Sequence, residues 1–250
     1  MKIIIWIILL IAASKVWGTE PQVWTNQSIH AGIGYLSHYF IDHHSSPLRY
    51  SNKTLMYTLQ YTHEGRRGRH RIVFGYDGGE FNTPGAEPGG MYEDYYRLYF
   101  EGGYVHHLTS YFNDRLRILG GFYFDNILTY REHFYFEDRS DIYIEFISAF
   151  HPAIEIYYRI GNQHRIRSRV GVSPVAYIYH SPYSIRGSAQ NTFEFFESFR
   201  KMGVMISYQR IFSERLQTEL FYTLNYHRHR VPRLARFASE NIIIQFGYRL

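Results

Sequence analysis

Polar and apolar residues take turns along most of this chain. From about residue 28 to the end the alternation has a period of two, as expected for β-strands with one apolar face. No later segment keeps a 3.6-residue helical period. The last strand is the clearest: Ile242, Ile244, Phe246, Tyr248 and Leu250 share one face, and Ile243, Gln245, Gly247 and Arg249 the other. Leu216, Thr218, Leu220, Tyr222, Leu224 and Tyr226 repeat the pattern against Gln217, Glu219, Phe221, Thr223, Asn225 and His227. From Ile142 to Ile160 the parity never slips, which predicts one long strand rather than two. Pro152 stands inside it, although proline cannot donate to a ladder.

The same reading predicts strands near 28–41, 54–63, 69–77, 95–111, 115–130, 142–160, 165–178, 195–211, 215–228 and 241–250. Long connectors at 42–53, 78–94, 131–141, 179–194 and 229–240 interleave with short ones around 65–68, 113–114, 161–163 and 213–214. A meander that crosses a membrane requires this order, with tight turns and both termini on one side and extended loops on the other. The expected fold is all-β: an antiparallel up-and-down transmembrane β-barrel of ten strands, with eight or twelve as alternatives.

A soluble barrel with an apolar interior would alternate too. Three features put the apolar face outside. Large side chains such as Tyr96, Leu98, Phe100, Tyr104, Leu116, Ile118, Phe122 and Phe124 would overfill a small lumen. The polar face mixes charges with Gly32, Gly34, Gly103, Gly121 and Gly171, which make room inside a narrow barrel. That face also carries opposed charges. Arg69, Arg71, Arg97, Arg117, Arg159, Arg165, Arg167 and Arg169 accompany Glu101, Asp125, Glu145, Glu155 and Glu219 as an expected lumen network. An arginine facing lipid at the midplane would cost about 2–4 kcal/mol, so these residues should point inward. Tyr39, Tyr96, Tyr158, Tyr208 and Tyr226, near strand ends, are placed for interfacial girdles.

Composition sharpens this picture. Of 250 residues 47 are aromatic, and the 27 basic residues include only four lysines: Lys2, Lys15, Lys53 and Lys201. Arginine suits fixed, bidentate partners better than lysine does. There is no cysteine, hence no disulfide framework or thiolate metal site. Mean hydropathy is −0.33, which excludes a bundle of transmembrane helices. Residues 1–18, MKIIIWIILLIAASKVWG, run charged, apolar and small, as in a secretory signal peptide, and leave 19–250 for the barrel. The apolar run is too short to span a bilayer as a helix. The mature charge of +3 argues against nucleic acid as partner.

Signal peptide, amphipathic strands and the ending Phe246-Gly247-Tyr248-Arg249-Leu250 resemble bacterial outer-membrane β-barrel proteins, with Leu250 in place of the usual terminal Phe. The resemblance implies the outer membrane of a Gram-negative bacterium. It also implies outer-membrane lipids and lipopolysaccharide as neighbours, and the barrel assembly machinery as reader of the C-terminal strand. It points to no subfamily.

A charged, largely filled lumen leaves a binding, structural or assembly role to the external loops, which are the usual place for recognition on a rigid scaffold. The 78–94 segment is acidic (Glu80, Glu87, Glu93, Asp94) and the 229–240 segment basic (Arg230, Arg233, Arg236), the latter suited to lipopolysaccharide phosphates. A small selective pore is one alternative. An outer-membrane lipid hydrolase is another, ranked behind binding, with catalytic candidates Asp42, His43, Ser45, His180 and Ser181 at one end of the barrel. His43-x-Ser45 resembles the His-x-Ser of outer-membrane phospholipase and lipid A deacylase barrels, but Ser46-Pro47 stands where asparagine usually follows. A rim metal site built from His43, His44, His180, His227 and His229 is chemically possible, but their spacing is nonspecific, as for ordinary exposed loop histidines. No phosphate loop, Rossmann fingerprint or zinc-finger pattern appears. No metal and no cofactor is expected.

Overall fold

The computed structural model describes residues 26–42, 46–82, 92–136, 139–181, 189–230 and 235–250. The expected signal peptide lies outside these residues. The described chain is all strand and turn: β1 (Asn26–Asp42), β2 (Ser46–Glu64), β3 (Gly68–Asn82), β4 (Tyr92–Tyr111), β5 (Leu116–Phe136), β6 (Arg139–Ile160), β7 (His164–Ser173), β8 (Val175–His180), β9 (Gln190–Phe195), β10 (Phe199–Ile211), β11 (Leu216–His229) and β12 (Ala235–Arg249). Ten of them pair with their neighbours in the order β1-β2-β3-β4-β5-β6-β7-β10-β11-β12, and β12 returns to β1, so the antiparallel ring closes without an edge.

β8 and β9 lie outside that ring. β7 follows β6 as far as Ala153 opposite Gly171, and β8 takes over at Phe150 opposite Val175. Pro152 falls in the gap, where β6 has no partner on that side and a missing N–H costs nothing. The Ser173 hydroxyl bridges the break by donating to the Phe150 and Val175 carbonyls, 2.8 and 2.9 Å. β6 therefore runs unbroken over 22 residues, as its parity predicts.

Alternation sets the barrel's inside and outside. On adjacent positions, Leu220 and Ile244 are 48% and 44% exposed while Glu219 and Gln245 are 1% exposed, so the apolar face looks out. Ile33, Leu98, Phe124, Ile144, Ile156 and Ile206 continue this exposed apolar surface around the ring. A closed barrel with such a belt belongs in a bilayer, where hydrocarbon rather than water meets those side chains. Tyr158 and Tyr208 stand outward near the turn end, and Tyr39 and Tyr226 near the loop end.

The connectors differ from expectation on the loop side. Strands run on through most of 42–53, 131–141 and 229–240 and into both ends of 78–94. The physical reason is that outward apolar residues stop at the bilayer surface, whereas backbone pairing continues above it. Glu80, Glu93, Asp94 and Arg236, expected in loops, are thus strand residues; Glu87 and Arg233 lie outside the described residues. Inside, the wall also departs from a purely charged lining. Leu36, Met56, Met205, Phe221 and Ile243 form a buried apolar cluster on β1, β2, β10, β11 and β12, facing the charged strands.

Candidate functional site

Inward parity alone delivers charged side chains to the lumen, and tilt of the strands decides which of them meet. Near the turn end Arg69 of β3 pairs with Glu155 of β6, which also accepts from the Tyr123 hydroxyl. Glu101 of β4 receives two bonds of 2.8 Å from Arg169 of β7 and one of 3.2 Å from Arg71 of β3. Arg71 also reaches the opposite wall, with its guanidinium over the Phe221 ring at 5.5 Å. Arg167 faces Glu219 at 3.5 Å, and Arg165 faces Glu64 at 3.5 Å. Asp125 holds Lys201 and His151, and Asp77 holds Arg97 at 2.8 Å and His38 at 3.2 Å. Many of these pairs are chords across the bore. Arg69–Glu155, Glu101–Arg169 and Asp125–Lys201 each join strands three places apart in the ring. Between them remains a cavity of about 80 Å³ lined by Arg71, Arg97, Glu101, Asp125, Arg169 and Lys201 among others, room for a few waters.

Of the expected network, Arg97, Glu101, Asp125, Glu145, Glu155, Arg165, Arg167, Arg169 and Glu219 stand in these pairs or in the cluster below. Arg117 and Arg159 are half-exposed at the turn end, with Arg117 beside the Glu64–Arg69–Glu155 group. His38, Asp77, His151 and Lys201 were not singled out by sequence, although all have inward parity: Lys201 shares it with Met205, Ser207 and Gln209. Glu93 looked like a loop acid, yet it is buried and faces Arg131 at 3.3 Å.

At the loop end histidines join the arginines. Glu145 of β6 stands opposite His180, the last residue of β8, and His229 ends β11. Glu145 Oε1 lies 3.5 Å from His180 Nδ1 and 3.6 Å from His229 Nε2, and the Tyr143 hydroxyl bonds the same His180 nitrogen. The His180 and His229 rings are 5.2 Å apart, and His227 stacks on Phe237. Arg131 lies over the Tyr143 ring at 4.3 Å. Of the catalytic candidates among the described residues, His180 enters this cluster and Ser181 does not. The Ser181 hydroxyl accepts from the Ile144 amide at 2.8 Å, and the Ser181 amide donates to the Ile144 carbonyl, which makes Ser181 the last rung of the β6–β8 ladder. His43, His44 and Ser45 lie outside the described residues, as does the side chain of Asp42.

The outward rim is sorted by charge. Arg200 of β10 stands opposite Arg228 of β11, which stands opposite Arg236 of β12; the row continues through Ile41 to Arg49 of β2. It runs two residues beyond Tyr39 and Tyr226. On the other side of the barrel Glu80, Asp94 and Glu132 form an outward acidic row across β3, β4 and β5. Like charges directly opposite on neighbouring strands repel, so each row is set for counter-ions.

No protein-family model matches the chain, and no curated protein sequence does. Solved structures do. The crystal structure of the outer membrane protease OmpT from Escherichia coli aligns with a TM-score of 0.52 at 9% identity, covering 90% of this chain and 95% of that one. The translocator domain of the autotransporter NalP from Neisseria meningitidis aligns with a TM-score of 0.51 at 9% identity, covering 89% and 88%. At such identities the likeness is one of fold. With its closed ring, outward apolar belt and charged interior, the chain has the architecture of the bacterial outer-membrane β-barrels.

Proposed function

We propose that this chain is a non-conducting barrel of a Gram-negative outer membrane, with a binding and structural role carried by its loop end, and that lipopolysaccharide is one partner there. The observation that carries the reading is the row Arg200–Arg228–Arg236 with Arg49, beyond the tyrosines of the loop end. Three arginines on successive strands repel one another until anions lie between them, and lipid phosphates at the bilayer surface supply those anions through charge-assisted hydrogen bonds. Ion pairs across the lumen support a scaffold rather than a channel. Ser181, the serine candidate beside His180, is engaged as a rung of the β6–β8 ladder, which weighs against the hydrolase reading.

The test is thermal unfolding of the purified barrel in detergent with and without lipid A. Wild type should gain stability from lipid A and not from a zwitterionic lipid. The triple variant Arg200→Gln, Arg228→Gln, Arg236→Gln should lose that gain, at about 1 kcal/mol or roughly fivefold in affinity per arginine. Equal stabilisation of wild type and variant would refute the assignment.

A further inference from the structure

We propose that Glu145, His180 and His229 form a binding site for a divalent cation of the zinc type, at the loop end of the lumen. One ligand atom from each of the three residues lies within 4.8 Å of the other two. Two imidazoles and a carboxylate are a hard-to-borderline donor set suited to Zn²⁺, with a fourth position left to water or another donor. With metal–ligand bonds of about 2.0–2.1 Å, tetrahedral ligand atoms stand roughly 3.3–3.4 Å apart. The Glu145 oxygen is 3.5 and 3.6 Å from the two histidine nitrogens, close to that spacing, and the two nitrogens lie within 4.8 Å of each other. The Tyr143 hydroxyl, already on His180 Nδ1, is an oxygen donor within reach of a cation held there.

Topology gives the site a purpose. Here the barrel's backbone seam is interrupted. The last rung between β10 and β11 is Phe199 opposite His229, and β9 beyond it pairs with β8 alone among the described residues. Glu145 and His180 sit on the β6–β8 side of that interruption, and His229 sits on the β11 side. A cation held by all three would join the two sides where no ladder does. Arg131 stands close by, facing Glu93 at 3.3 Å, and its charge also acts on Glu145. His227, two residues before His229 and stacked on Phe237, borders the same cavity. The site is independent of the arginine row, which faces outward.

The experiment uses the full barrel without a histidine tag, refolded in detergent, stripped with EDTA and titrated with Co²⁺ and then Zn²⁺. Wild type should take up one Co²⁺ per chain with the intense visible absorption of a tetrahedral ion, and Zn²⁺ should displace it. His229→Gln and Glu145→Gln should abolish the band, while His30→Gln, which alters a lumen histidine at the turn end, should keep it. Heat-modifiable migration on gels certifies that each variant is folded. Should a variant fail that check, zinc-edge X-ray absorption of wild type decides without it: two imidazoles in the first shell support the site, and an all-oxygen shell overturns it. Absence of the band, its survival in His229→Gln, or its loss only in His70→Gln, whose ring neighbours His63 near the turn end, would also overturn the proposal.

Discussion

The two ends of this lumen are built from different chemistry. Toward the turns and through the middle, permanently charged arginines meet carboxylates across the bore, each carboxylate holding one or two cations. Toward the loops, histidines, tyrosines and phenylalanines take over, and the central carboxylate, Glu145, is held by imidazoles. Fixed charges lock a geometry; imidazoles can release a proton or take a metal. On the reading proposed above, the first region is the pin of a scaffold, and the second is where the molecule can respond to what surrounds it.

The sharpest way to break this contrast is to remove one charge from the locked region. Glu101→Ala leaves Arg71 and Arg169 buried without their shared carboxylate and should cost about 3–5 kcal/mol in urea unfolding. Replacing all three by methionine should cost less than the single change, since no orphan charge remains. An equal or larger loss in the triple variant would show that packing rather than charge pairing dominates there.

Next in size is a steric test of the same region. Gly121 on β5 packs against β4 so closely that an added Cβ would stand 2.7 Å from the Val105 Cα. Gly121→Val should therefore destabilise by about 1–3 kcal/mol by the same assay, with strand register forced to shift. A neutral result would mean that the β4–β5 seam is looser than its geometry.

The loop-end region should yield smaller changes. Ser181→Ala removes the side-chain acceptor at the end of the β6–β8 ladder and should cost about 0.5–1.5 kcal/mol. Assayed against phospholipid and lipid A, that variant and wild type should be equally inert. Turnover in wild type that vanishes in Ser181→Ala would restore the hydrolase reading.

How far the sequence reached differs between the regions for a physical reason. Parity of two is dictated by the strand itself, so Arg167, Arg169, Glu101 and Glu155 could be placed inside from their positions alone. Their partners could not, because Arg69 finds Glu155 through the tilt and stagger of a closed sheet, over a separation of 86 residues. At the loop end even the strands were hard to see. Once outside the bilayer the outward face turns polar, as at Glu80, Asp94, Arg228 and Arg236, and the alternation that marks a strand disappears while the ladder persists. The histidines could be grouped at one rim from the sequence, but Glu145 could not be joined to them. His180 and His229 are 49 positions apart and share no spacing with Glu145; only the meeting of β6, β8 and β11 brings them together.

The central claim is that ion pairs close this barrel, and electrical recording tests it most directly. Reconstituted in a planar bilayer, wild type should show no steady conductance, whereas the Glu101→Ala, Arg71→Ala, Arg169→Ala triple variant should open a small, lasting one. A large, steady current through the wild-type barrel would contradict the account.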